Sequence, residues 1–203
     1  PAMAYVHNFG TVTKDGKDGF LMIGYDDIYS IEYMYEKRMG YWKHDGKVTI
    51  FEAFEKLRDN YQSIMERCRA LDELIYNDAE KAGGKKYAEI CSAAYRQVIS
   101  AHKLFTDKEG NLMWFSKENN SNGFINTVDL TYPSAPLFLV YNPDLQKAMM
   151  TSIFEYSASG RWDKPFAAHD LGTYPIANGQ VYGGDMPIEE SGNMVILTAA
   201  ISK

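Results

Sequence analysis

The sequence lacks most of the features that would assign it quickly. Lys and Arg number 21 against 27 Asp and Glu, a net charge of −6, and they form no basic stripe. Nucleic-acid surfaces need clustered cations to neutralise phosphate, so a nucleic-acid partner is excluded. The longest apolar runs are Gly19–Gly24, Ala135–Tyr141 and Met194–Ile201. All are far shorter than the roughly 20 residues that span a bilayer. No signal peptide is present; the opening Pro1-Ala2-Met3 reads as an internal start, so that lack says little about the parent protein. There are only two cysteines, Cys68 and Cys91, with no CxxC and no neighbouring His. They read as buried free thiols, with a disulfide between neighbouring helices as the alternative, and the redox compartment stays open. No HExxH, GxSxG or P-loop occurs. One SxxK match, Ser100-Ala-His-Lys103, falls inside a helix-patterned segment and reads as chance.

What is present is a globular composition: 45% hydrophobic and 24% charged over 203 residues, with 15 tyrosines. Tyr combines an apolar body with a polar tip, which suits sugar, amide or peptide ligands and equally suits a helical core with satisfied hydroxyls. Tyr5–Val12 and Phe20–Ile23 read as extended pieces around a polar turn. Asp26 or Asp27 is expected to cap a helix through about Met39, on the spacing Ile28, Ile31, Tyr35, Met39, stopped by Gly40. Thr49-Ile-Phe-Glu52 is a capping-box pattern opening a long helical stretch to about Ala82. Phe51, Phe54, Leu57, Tyr61, Ile64, Met65, Cys68 and Leu71 form its buried stripe.

After Gly83-Gly84 a second helix runs from Tyr87 to Phe105, and Leu112–Ser116 is extended. A polar, Asn-rich loop follows from Glu118 to Asp129. An apolar helix starts near Tyr132 and runs through Tyr141, and Asn142-Pro143 opens another that reaches Ser159. The stretch 160–184 is a long loop, and Pro187 lies in the first turn of a final helix. About six helices in consecutive pairs, with no strand–helix alternation, exclude a Rossmann fold and point to a solenoid or toroid. The fold class is mainly α, with minor short strands, in a single domain over 1–203.

The two long loops are the functional candidates, because unstructured loops beyond about 12–15 residues in a compact domain usually carry function. The second feeds Met194–Ile201, apolar on every face and therefore expected to be buried. Its start carries Glu189, Glu190 and Asn193 to depth, where carboxylates are costly unless paired or used. As helix-dipole partners, with Asp185 as cap, these acids would be merely structural. As a carboxylate pair they suit general acid/base hydrolysis, one activating water and the other protonating the leaving group. Glu189, Glu190 and Asp170 are the candidate catalytic residues. His169, Asp129, Tyr132, Asn193, Trp162 and Asp27 are the candidate substrate-binding residues. His169-Asp170 is equally a structural hydrogen bond, and Asp26-Asp27 and Asp129 are equally caps. A metal set of His169, Asp170, Asp185 and Glu189 is conceivable without supporting ligand spacing, so no metal and no cofactor is expected.

The motifs then become specific. They are Ile23-Gly-Tyr-Asp-Asp-Ile-Tyr-Ser-Ile31, Ala93-Ala-Tyr-Arg-Gln97, Phe115-Ser-Lys-Glu-Asn119 and Asn126-Thr-Val-Asp-Leu-Thr-Tyr-Pro-Ser-Ala-Pro-Leu-Phe138, followed by His169-Asp-Leu-Gly-Thr-Tyr-Pro175 and Met186-Pro-Ile-Glu-Glu-Ser-Gly-Asn-Met194. Together the chain resembles the six-hairpin domain of the glutaminase A family. The resemblance implies an (α/α)₆-toroid type domain, a secreted or cell-envelope protein, and a β-rich N-terminal domain before this one. It also implies hydrolysis of glutamine to glutamate and ammonia, with no settled catalytic residues to carry over. A full toroid needs about twelve helices, so the chain reads as the first half of one, its partner being the other half. The small-molecule substrate is then glutamine. A glycan is the alternative, on a glycoside hydrolase of the same scaffold with Trp114 and Trp162 as sugar platforms, and a non-catalytic binding module is the third reading.

Overall fold

The computed structural model describes residues 4–203; Pro1–Met3 lie outside them. The molecule is mainly α, as expected, with six α-helices, a short 3-10 helix at Tyr41–Lys43 and five short strands among the described residues. Residues 4–30 form no strand, so the expected extended pieces find no ladder, and Val6, Ile23 and Tyr25 face solvent. Phe20 instead stacks on Tyr61 at 4.7 Å.

The helix expected over 26–39 does not form. In its place β1 (Ile31–Tyr33) pairs antiparallel with β2 (Glu36–Arg38). Met34 and Tyr35 turn the chain with φ of 49° and 70°, both positive as a type I′ hairpin turn requires. Ile31 and Tyr33 are buried with Glu32 between them, a period of two that outweighs the helical spacing. Asp26 and Asp27 cap nothing: Asp26 pairs with Lys43 at 2.7 Å, and Asp27 with Lys103 at 2.7 Å.

Helix α1 (Ile50–Asp59) opens on the expected capping box, with Thr49 N–H donating to Glu52 Oε2 at 2.8 Å. The long helix is broken at Asn60, and α2 runs over Tyr61–Gly83. The expected buried stripe is largely exposed: α1 buries no residue, and Phe51, Leu57, Tyr61 and Leu71 face solvent. Only Ile75 and Ala79, near the end of α2, are buried. Beside them α3 (Lys85–Ser100) folds back after Gly84, whose φ of 80° makes the turn. Both cysteines are free, but Cys68 is exposed and Cys91 half-buried, so neither the buried-thiol nor the disulfide expectation holds.

Helix α3 stops at Ser100 rather than Phe105. Strand β3 (His102–Thr106) follows and pairs antiparallel with β4 (Leu112–Ser116). The ladder buries Phe105, Met113 and Phe115 completely, which a continuing helix could not do. It also splits the SxxK match, leaving Ser100 on a helix end and Lys103 on a strand.

Helix α4 (Val128–Tyr141) begins four residues before the expected Tyr132 and tolerates Pro133 and Pro136 within it. Helix α5 (Pro143–Ala158) starts at the Asn142-Pro143 break, with Asn142 Oδ1 accepting from the Leu145 N–H at 3.4 Å. In the last loop β5 (Ile176–Ala177) adds in parallel to β1. Helix α6 (Pro187–Ile201) closes the chain. Its all-round burial is not found: Met194 and Leu197 are buried, while Val195 and Ile196 are 69% and 53% exposed. The main core joins α4, α5, α6, both sheets and the two long loops around Phe105, Phe115, Ile125, Ile153, Leu171 and Leu197.

Candidate active site

The two long loops are zipped together, and that pairing builds the site. Ile125 N–H donates to Gly172 O at 2.9 Å, Leu171 N–H returns to Ile125 O at 3.0 Å, and Val128 N–H donates to His169 O at 2.9 Å. Asn126 holds the bend, at a φ of 49°. Its side chain is fully buried, accepts from Ser116 N–H at 2.7 Å and donates to Met149 O and Ser152 Oγ at 3.1 and 3.0 Å. Gly172 has a φ of 131° and presses on Ile176 O, so that any Cβ would lie 2.3 Å from that oxygen. Only glycine fits there.

Asp170 is the centre of the second loop. It is completely buried. Its Oδ1 accepts from Gly172 and Val181 N–H at 2.8 and 3.0 Å; its Oδ2 accepts from Tyr182 N–H at 3.2 Å and faces His169 Nδ1 at 3.0 Å. Three backbone donors fix the carboxylate, and the carboxylate fixes the imidazole. Tyr182 stacks on the ring at 4.1 Å, Phe124 meets its edge at 6.1 Å, and Gln180 Oε1 accepts from the His169 N–H at 2.8 Å. With Nδ1 donating to Asp170, Nε2 is the ring atom left to face Asp129, 4.0 Å away.

Glu190 completes the cluster. It lies in the first turn of α6 and is 0% exposed. Neither of its carboxylate oxygens has a hydrogen-bond partner, nor does the buried Oδ1 of Asp129. Burial first, then the charges of Asp129 and Glu189, push the Glu190 carboxyl up to about 8; the Asn193 amide and the Asp129 backbone N–H lie near enough to oppose this only partly. One donor atom each from Asp129, His169 and Glu190 lies within 4.8 Å of the others. A protonated carboxyl beside a second carboxylate and an oriented imidazole can give and take protons, and the same three donors can hold a cation.

The other sequence candidates fall at graded distance from this centre. Asn193 is buried one turn along α6 from Glu190, and Tyr132, 40% exposed, one turn along α4 from Asp129. Glu189 is exposed, acting on Glu190 through its charge. Asp27 belongs to a separate group with Lys103 and Ser30. Trp162 packs into the core against Tyr156, its indole donating to Phe166 O at 2.5 Å. Trp114 is buried, stacked on His102, and offers no sugar platform. Asp185 pairs with Lys164 at 2.6 Å and leaves the start of α6 without a side-chain cap. The conceivable metal set is therefore not assembled: Asp185 is paired with Lys164, Glu189 is exposed, and Asp170 is spent on backbone donors. Asp129 is legible in the Asn126–Phe138 motif as a cap or a substrate-binding acid, but not as the neighbour of Glu190, because nothing local says which distant loop it meets.

The Glutaminase A six helical-hairpin domain matches residues 84–203, which contain every residue of the cluster. A domain of unknown function (DUF5127) matches residues 1–78. Glutaminase A of Aspergillus oryzae is 39% identical over 158 residues, covering 76% of this chain and 23% of that protein. A probable glutaminase of Arthroderma benhamiae is 35% identical over 160 residues, covering 75% of this chain and 18% of its own length. The chain thus spans about a quarter or less of these curated relatives. No solved structure matches. With a family model matching more than half of the chain and relatives 39% and 35% identical, the chain belongs to the Glutaminase A six helical-hairpin domain family.

Proposed function

We propose that the chain carries the acid–base centre of a glutaminase-type amidohydrolase, part of a longer exported protein, with Asp129, His169 and Glu190 as its working groups. The observation that carries this reading is Glu190: fully buried, with both oxygens unpartnered, beside a second carboxylate and an imidazole locked in orientation. A group this costly to bury is kept for use. Asp129, partly open to solvent, takes a proton from the water that attacks the side-chain amide. Glu190, held protonated at neutral pH, delivers its proton to the departing ammonia. His169 Nε2 orients the water or the amide, and Asp170 keeps the ring in place. Tyr132 and Asn193 flank the pair and suit contacts to the amino-acid part of the substrate.

A glycoside hydrolase is the second reading, because Asp129 and Glu190 bring two carboxyl groups together, and glycosidases work with such a pair. One experiment separates the readings. The full-length protein and its Glu190→Gln variant are assayed for ammonia release from glutamine and for sugar release from a glycan panel, with far-UV circular dichroism as the folding control. The expected result is ammonia release that falls about 10²–10⁴-fold in the folded variant. Sugar release without ammonia would decide for the glycosidase, and unchanged ammonia release would remove Glu190 from the chemistry. Turnover of neither substrate would leave a binding module.

A further inference from the structure

We infer that Asp129, His169 Nε2 and Glu190 form a binding site for a zinc-class divalent cation, and that occupancy of this site competes with the acid–base reaction. The competition rests on the function proposed above; the binding does not.

Three observations carry it. The donor atoms already lie within 4.8 Å of one another, with His169 Nε2 and Asp129 Oδ1 at 4.0 Å. Bonds of about 2.0–2.1 Å to a tetrahedral ion put ligand atoms roughly 3.3–3.5 Å apart, so His169 Nε2 and Asp129 Oδ1 need to close by about 0.5–0.7 Å and no pair by more than about 1.5 Å. Next, the donors are vacant: both Glu190 oxygens and Asp129 Oδ1 are buried without hydrogen-bond partners. The third observation points to a metal most directly. His169 turns its other nitrogen to a buried carboxylate that three backbone N–H groups hold in place. Carboxylate–imidazole–metal relays have this form, in which the outer carboxylate fixes the ring and strengthens the donor nitrogen.

The mixed nitrogen and oxygen donor set selects the ion class. Magnesium and calcium take oxygen ligands almost alone, whereas imidazole with carboxylate suits zinc and its neighbours. Asp129 is the partly exposed member and marks the side by which an ion or water enters. An ion held by these three side chains occupies the donor atoms that the proposed reaction would use, so the site cannot hold an ion and act on water and the amide at once.

Isothermal titration of the chelator-treated, full-length protein with ZnCl₂ tests the site, with MgCl₂ as the comparison. The expected result is a saturable zinc site that MgCl₂ does not fill. Affinity should fall at least tenfold in Glu190→Gln and in His169→Gln. It should fall about 10–100-fold in Asp170→Asn, which alters only the outer carboxylate, and should be unchanged in Asp185→Asn. Far-UV circular dichroism of each variant reports folding; where one ligand variant fails to fold, the other decides. Absence of zinc binding, or binding unaffected by both ligand variants, would overturn the site. Ammonia release is read separately with chelator and with saturating zinc. Zinc binding without any ammonia release would sink the proposed function and leave the site standing. Ammonia release with no zinc binding would do the reverse. Zinc-loaded protein as active as the metal-free form would overturn the competition.

Discussion

At the scale of single residues the chain concentrates its cost in two carboxylates that solve burial differently. Asp170 acts as an acceptor throughout, taking backbone N–H groups of Gly172, Val181 and Tyr182 and facing the His169 ring. Replacing it by Ala strands those donors. We expect Asp170→Ala to lose about 3 kcal/mol of stability in urea denaturation; a loss within about 0.5 kcal/mol would show that the loop does not depend on it. Glu190 has no such partners, and its carboxyl is pushed up to about 8 from an ordinary 4.5. The folded protein therefore binds this proton more tightly than the unfolded chain. Stability contributed by the protonated form is full below about pH 4.5, falls as pH rises through the window to about 8, and stays lost above it. Gln at 190 cannot ionise. Compared with chelator-treated wild type, the melting temperature of Glu190→Gln should gain more at pH 9 than at pH 5. An equal difference at both pH values would mean that Glu190 ionises freely in the fold.

Among the elements, those set by local chemistry were legible and those set by distant partners were not. The Thr49–Glu52 capping box, the Asn142-Pro143 break and the Pro187 start all appear as read, because each is decided within four residues. Thr49→Ala should cost about 1 kcal/mol. Since α1 buries no residue, that loss should appear as faster amide exchange confined to α1, with ammonia release untouched. Slower exchange, or a global loss, would mean that α1 is tied to the core. The β1–β2 hairpin is hidden in the sequence because Ile28, Ile31, Tyr35 and Met39 imitate a helical face. The alternation of Ile31 and Tyr33 wins only once β5 and the Phe105–Phe115 ladder supply a sheet edge and a core. Strand β3 is indistinguishable from a continuation of α3 for the same reason, since its partner β4 lies beyond a turn. Of the site, the acids and His169-Asp170 were visible as residue types in suspicious loops. The convergence of Asp129 with Glu190 was not, because it depends on the loop ladder from Ile125 to Gly172.

The whole molecule presents an uneven surface. Val195, Ile196 and Ile188 on α6 are exposed, and so is Val140 on α4, a set of apolar side chains that an isolated soluble domain rarely leaves uncovered together. In the full-length protein these residues should be covered by further hairpins. We therefore expect the 203-residue chain alone to bind a hydrophobic dye such as anilinonaphthalene sulfonate, and the full-length protein to bind much less. Equal binding would place this face outside any intramolecular contact. The central claim, that Asp129 and Glu190 act as one acid–base unit, is tested most directly by a double-mutant cycle in the full-length protein. Ammonia release from glutamine is measured for Asp129→Asn, Glu190→Gln and the pair together. Groups that act as a unit are not additive, so the double variant should be about as slow as the slower single one. Losses that multiply would mean that the two carboxylates work independently and would contradict the account.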